Sequence, residues 1–523
     1  MAGFEVRRES FVRLVFAFEL RDSNAYERTV DRVSGHLEEE PRVTWADRPL
    51  RRGLVLPHLW RHMNTGDFSD GDDERARDEL AREIAHWWEA PTVGAKGSPP
   101  PIPEKWDFRV DGPSSPPIQF RIKSLELVLF RAGVGFLIFE LAPLSQDFDA
   151  WLNFTHHIRY FDVRELENAL PSDSFRQLRP DLLRLVTLPR HEHGASYRGK
   201  MDIDNLSFDR PRGMGFIADW ILDDALGPEA FQVTHGPGRT FVYSFLSVKS
   251  QRGSTEAQHF EARYRWRRFL RSDTAVFASD DDDLTSRLRG FGDGVTFSYS
   301  IDGGGVFAVD VPQVGFFTTT LPDDVRRPYF FGALLAYHQR LALLRFSSLI
   351  ASIRLRDTNW LDGVEEVFDR YLEYLTSSSF AHIMHSGAHD ANHREWMATF
   401  GVSALQKEVE SEVRRLRERA AIEEARAADQ FRKEEKARDL STSERAARTD
   451  RRFSVFALAF AIPSLVLAVI GVAYPDGINV WVAWGILAAL IVVGLATGNV
   501  LSKWSARLET LRDLDRHESS SAP

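Results

Sequence analysis

The chain of 523 residues contains no cysteine. Disulfides, thiolate zinc sites, iron–sulfur clusters and cysteine nucleophiles are therefore excluded together, and any metal would need oxygen or imidazole ligands. Lysine is scarce: only nine of the 66 Lys+Arg cations are lysine. An arginine preference that runs through the whole chain makes a single arginine cluster weaker grounds for a phosphate site. Against 76 Asp+Glu the net charge is −10, which argues against a polyanion binder and gives no expectation of a nucleic-acid partner. Walker lysine, nucleophile elbow, kinase signature and dinucleotide-binding glycine pattern are all missing. The expectation is a protein that is not an enzyme and needs no cofactor. No apolar leader opens the chain, whose first residues include Glu5, Arg7, Arg8 and Glu9.

What the sequence does have is apolar length near its C-terminus. Phe453–Pro475 and Gly477–Ser502 carry no charged residue, and Asp476 alone separates them. A helix of about 20 residues spans a bilayer core, so the two runs predict a transmembrane hairpin. Arg448, Arg451 and Arg452 precede it and Lys503 and Arg507 follow it. The positive-inside rule then places both termini in the cytoplasm of a multi-pass protein of the cell (inner) membrane. Ala457, Ala461, Ser464, Ala468 and Gly471 recur every three or four positions, a small-residue face for pore lining or helix packing. Ser403–Arg452 lacks glycine and proline and holds 14 Lys+Arg against 12 Asp+Glu, which predicts a long stalk helix able to pair as a coiled coil. Ser441 with Glu444 has the spacing of a capping box, where that helix could break and restart.

The fold class expected is therefore an α/β cytoplasmic domain, a long helical stalk and a C-terminal two-helix transmembrane hairpin. The domain reading is 1–97 as an N-terminal α/β piece, 98–117 as a Pro-rich connector and 118–400 as the main domain. The stalk follows at 401–452, the hairpin at 453–502 and a cytoplasmic tail at 503–523. Within the main domain, Ser124–Phe130 and Phe136–Leu141 read as strands around the turn Arg131–Gly135. Val295–Ser300 and Val306–Val311 read as a second hairpin whose turn includes Gly303–Gly305, and Arg239–Val248 as a further strand. Pro328–Ile353 and Asp362–Ser377 read as helices, the first a buried one interrupted by His338, Gln339, Arg340 and Arg345.

Candidate metal chemistry is sparse. His382, His385, His389 and His393 are spaced to stack on one helix face, where they could bind a metal ion or sense pH, although Gly387 interrupts that helix. The acidic runs Asp67–Glu74 and Asp280–Asp283 lack the ligand spacing of a calcium loop, and His191-Glu-His193 has no supporting element. Solvated loops are the simpler reading of all three.

The order of parts resembles the CorA-like family of divalent-cation channels, and Gly477-Ile478-Asn479 stands where that family carries Gly-Met-Asn. The resemblance implies a homo-oligomer, a pentamer in the family, with the bilayer and divalent cations as partners. Mg²⁺ or another divalent cation would be the transported or regulatory ion. Gly477, Ile478 and Asn479 would form the pore and selectivity ring, gated by the cytoplasmic domain. The competing expectation is a sensor or defence effector whose soluble domain binds a ligand and whose hairpin is an anchor or a membrane-disrupting element.

Overall fold

The computed structural model describes residues 4–22, 25–35, 43–48, 56, 85–90, 105–109, 116–160, 185–187, 214–227, 230–233, 240–250, 254–270, 288–292, 294–310, 315–353, 360–377, 379–380 and 382–473, then 481–482, 484–494, 496, 500 and 503–504. The chain divides into two units, Met1–Arg417 and Glu418–Pro523. The first is built on a single mixed sheet of 13 strands. These are β1 (Phe4–Val6), β2 (Phe11–Leu20), β3 (Ala46–Asp47), β4 (Ala85–Ala90), β5 (Lys105–Arg109), β6 (Ile118–Phe130), β7 (Val134–Pro143), β8 (Leu185–Thr187), β9 (Phe231–Val233), β10 (Phe241–Ser250), β11 (Leu288–Gly292), β12 (Val295–Ser298) and β13 (Gly303–Asp310). The main path runs β11-β12-β13-β10-β2-β7-β6-β4-β3, antiparallel except for the β10–β13 pair.

Nine α-helices are described: α1 (Tyr26–Val33), α2 (Phe148–His157), α3 (Met214–Leu226), α4 (Glu256–Leu270), α5 (Thr320–Asp324), α6 (Phe330–Ser352), α7 (Trp360–Ser377), α8 (Gly387–Thr399) and α9 (Val402–Ala473). They cover both faces of the sheet. In β2 the side chains of Val12, Leu14, Phe16, Phe18 and Leu20 pack into one core with α1–α4. Phe11, Val15 and Ala17 pack on the opposite side with α6, α7, α8 and the root of α9. Burial of both faces is why β2 reads as an almost unbroken apolar run, and it makes this strand central. The segment 1–97 is accordingly woven into the main sheet and does not stand apart: β2 lies between β10 and β7, and β4 pairs with β6. β5 lies within the expected connector and also pairs with β6.

The two expected hairpins form, as β6–β7 and β12–β13. Gly303–Gly305, expected in the turn, instead opens β13 alongside β10. A Cβ on Gly304 would overlap the Ser298 carbonyl and the Trp396 ring, so glycine is needed there for close backbone approach. A π-turn, Val325–Tyr329, leads into α6; Pro328 inside it has no N–H to give to a regular helical ladder. α6 is buried along most of its length, as its apolar run implies.

The C-terminal expectation requires correction. Among the described residues no helix is long and apolar enough to cross a membrane. The charge-rich stretch after Val402 and the apolar stretch after Phe453 belong to one helix of 72 residues, not to a stalk followed by a separate span. A helix needs about 20 consecutive apolar residues to cross the core of a bilayer. The described helical residues after 480 make no such helix either. The transmembrane hairpin, the multi-pass inner-membrane placement and the description as a membrane channel are withdrawn with it. No break occurs at Ser441, whose hydroxyl donates to the Arg438 carbonyl one turn back in place of capping a new helix. Ala457, Ala461, Ser464 and Ala468 are exposed on α9, and Gly471 lies in the same helix. Gly477, Ile478 and Asn479 lie outside the described residues.

Candidate functional site

Four elements of the first unit meet around a cleft at one end of the strands. The β6–β7 turn contributes Arg131 and Ala132, α1 contributes Tyr26 and Glu27, and α6 and α7 close the opposite side. The cleft has a volume of about 310 Å³, at the small end of ordinary ligand sites. Its apolar wall is Phe346 and Leu349 of α6, and its polar wall holds Arg345 of α6 with Arg370, Glu373 and Tyr374 of α7.

Arg345 organises this corner. Its Nη1 donates to the Ala132 carbonyl at 3.1 Å and its Nη2 to the Leu20 carbonyl at 2.9 Å, tying α6 to the hairpin turn and to the end of β2. The turn allows this because Gly133 adopts φ +76°, and a Cβ there would overlap the guanidinium. Burial lowers Arg345 from its ordinary value; Glu19 opposes that shift and Arg370 adds to it. An arginine nonetheless stays charged. Arg131 is paired with Glu373, and Arg370 with Glu366 one helical turn back. The cleft thus presents guanidinium groups, planar donors suited to carboxylate and phosphate oxygens, beside an apolar surface. The Tyr26 hydroxyl is buried and has no hydrogen-bond partner among the described residues, and burial pushes it well above the usual phenol range.

A second polar cluster lies under α6 on the sheet itself. Arg13 on β2, Glu140 on β7 and Glu126 on β6 point to one face, where Arg326 of the π-turn and Arg48 also reach the two carboxylates. Trp87 and Ser124 donate further hydrogen bonds to Glu126, at 3.1 and 3.2 Å. Glu89 also pairs with Arg48 and Asp323 with Arg326, so the cations are met within the protein and the cluster fastens the π-turn to the sheet.

The four spaced histidines do not converge. α8 begins only at Gly387, so His382 and His385 precede the helix. His393 is fully buried, with Nδ1 2.8 Å from the Gly332 carbonyl, and fixes α8 against α6. His389 packs edge-on to Tyr329, and His382 is exposed and paired with Asp390 at 2.9 Å. Among the described residues no group of three or more His, Asp or Glu side chains is placed to hold a metal ion. The segments 67–74, 191–193 and 280–283 lie outside the described residues.

The arginine cleft is absent from the sequence expectations. Two signals for it stood in plain view: Arg345 interrupting an apolar helix, and Arg131 in a tight strand turn. Neither reveals a cleft until β2, the turn, α6 and α7 are brought together. Compared with known protein families, with curated proteins and with solved structures, the chain matches none.

Proposed function

We propose that the protein is a non-catalytic ligand sensor whose α/β unit binds a small anion in the Arg131–Arg345–Arg370 cleft. The observation that carries this reading is Arg345: a buried cation, hydrogen-bonded to backbone carbonyls, at the wall of a cleft that two more arginines line. Two backbone carbonyls and Glu19 offset part of the cost of burying this cation, and an anion in the cleft would add to that compensation.

A route for signalling accompanies it. α7 carries Arg370, Glu373 and Tyr374 toward the cleft, and its Phe368 ring lies 4.2 Å beneath the Arg417 guanidinium of α9. Glu412 of α9 accepts a hydrogen bond from Ser347 of α6 at 3.3 Å. Occupancy of the cleft therefore acts on both helices that seat the root of α9. The proposal keeps the ligand-binding half of the sensor expectation and needs no membrane hairpin.

The test is thermal denaturation of the full chain in inorganic phosphate or benzoate against chloride at matched ionic strength, with hydrogen exchange across 402–417 read in parallel. A ligand at one hundred times its Kd stabilises the folded state by about 2.7 kcal/mol. Stabilisation and slower exchange, both lost in Arg131→Gln/Arg370→Gln, are expected. Equal behaviour of the wild type in every anion and in chloride refutes the reading.

A further inference from the structure

Every guanidinium at the cleft is already met. Arg345 donates to the Ala132 and Leu20 carbonyls and feels Glu19 electrostatically, Arg370 is paired with Glu366, and Arg131 with Glu373. An anion that enters the cleft therefore finds no spare positive charge and takes the place of a group already there. Which group gives way is a question that rests on the sensor reading above and deepens it.

The three partnerships differ in what holds them. The carbonyls on Arg345 are backbone atoms of the β6–β7 turn and of β2, and they cannot turn aside. Glu366 lies one helical turn from Arg370 on α7, so that pair is local to one helix. Glu373 lines the cleft and reaches Arg131 from a different element, and its side chain is 45% exposed against 31% for Arg131. A pair this open to water contributes little to stability, because solvent screens the attraction and both side chains lose freedom in forming it. The Glu373 carboxylate can swing into solvent and be hydrated there with no change in the backbone.

A ligand oxyanion offers what Glu373 does not. The Tyr26 hydroxyl is buried on the same cleft wall and has no hydrogen-bond partner among the described residues, although Arg131 and Glu373 both act on it electrostatically. With Glu373 on Arg131 that hydroxyl stays unpaired, at the cost of its desolvation. An oxyanion not tethered to α7 can place one oxygen on Arg131 and another on the hydroxyl. The exchange is also neutral in charge at Arg131, where one anion leaves and one arrives.

We infer that Glu373 is a built-in competitor for the ligand site: in the empty protein its carboxylate holds Arg131, and an incoming oxyanion replaces it there and reaches the Tyr26 hydroxyl. This one exposed ion pair then sets the affinity of the cleft.

Calorimetric titration of the full chain with benzoate and with inorganic phosphate, at ionic strength matched with chloride, tests the exchange. Glu373→Gln removes the competing charge, whereas Glu373→Asp keeps the charge on α7 and draws it back from Arg131 by one methylene. Both variants are expected to bind the tighter of the two probes about two- to fivefold better than wild type, the range an exposed pair can supply. Tyr26→Phe is expected to weaken the same probe about three- to tenfold. Tightening in Glu373→Gln with a wild-type value in Glu373→Asp is a general charge effect and overturns the inference. Wild-type affinity in both Glu373 variants, or in Tyr26→Phe, overturns it too, provided the variants unfold at the wild-type temperature; in these cases wild type still binds and the anion sensor stands. Binding of neither probe by wild type overturns the sensor and the inference together.

Discussion

Arg13 on β2 and Glu140 on β7 are cross-strand partners in register, and their side chains close on each other at 2.7 Å from Nη2 to Oε2 with both residues almost wholly buried. Arg326 reaches the other oxygen of the same carboxylate from the π-turn at 2.9 Å, and the Phe330 ring lies 4.3 Å from the Arg13 guanidinium. One pair of sheet residues thereby fixes where the helical layer begins.

Truncating one side of this pair exposes its importance. Glu140→Leu leaves a buried guanidinium without its main counter-charge and is expected to destabilise the fold by about 3–5 kcal/mol in denaturant titration. The double variant Arg13→Met/Glu140→Leu should be well short of the sum of the single losses, because no orphaned charge remains. Burial by itself raises the Glu140 carboxyl, but Arg13 and Arg326 more than offset it and hold the group below its ordinary 4.5. Its contribution is thus complete above that value and lost as pH falls through the lower folded one. A Glu140→Gln variant with an unchanged acid limb contradicts this assignment.

His338 gives a second acid-side effect with a different cause. It sits fully buried in α6, stacked on Phe130 at 3.7 Å, with neither ring nitrogen partnered among the described residues. Burial pushes its pKa down to about 3 from 6.5. The imidazole is neutral in the fold and charges only when unfolded, so stability is whole above pH 6.5 and declines below it. The slope is at most about 1.4 kcal/mol per pH unit. His338→Phe preserves the stack, removes the unpartnered nitrogens and should gain about 1–2 kcal/mol near neutrality. Stability profiles of wild type and variant between pH 4 and 7 should then diverge as pH falls, and parallel profiles would count against a neutral buried His338.

The third prediction concerns Gly133. An alanine there must adopt φ +76° and place a methyl group on the Arg345 guanidinium. The expected loss is about 1–3 kcal/mol in stability, together with weakened benzoate binding as Arg345 is displaced. Arg345 is 325 residues from Leu20, whose carbonyl it holds, so a fall in stability without any effect on binding would mean that the clamp and the cleft are independent.

Much of the α/β unit was legible. The apolar runs of β6, β7, β10 and β12 and the helices α6 and α7 follow from period and composition, because strand and helix burial is written locally. The hairpin turn at Arg131 was legible too, but its role was not, since a turn cation and a mid-helix cation 214 positions apart say nothing of their proximity. Arg13, Glu126 and Glu140 were visible as lone charges in apolar strands. That they face one side together depends on the register of β2, β7 and β6. The histidine spacing misled for a local reason: α8 starts at Gly387, so a four-residue period crosses a helix boundary.

The membrane expectation failed on a broader point. The run from Phe453 is apolar by residue type, but no described helix meets the length and apolarity of a crossing.

By itself, then, the sequence determined the absence of thiol chemistry, the alternation of strands and helices and the helical character of the charge-rich stretch at 403–452, all properties of residue type and short-range spacing. Only the tertiary structure decided the threading of β2 into the middle of the sheet, the convergence of Arg131, Arg345 and Arg370, and the isolation of the Tyr26 hydroxyl beside them. These depend on which distant segments share a burial site, and that is settled by long-range strand pairing and packing against α6 and α7.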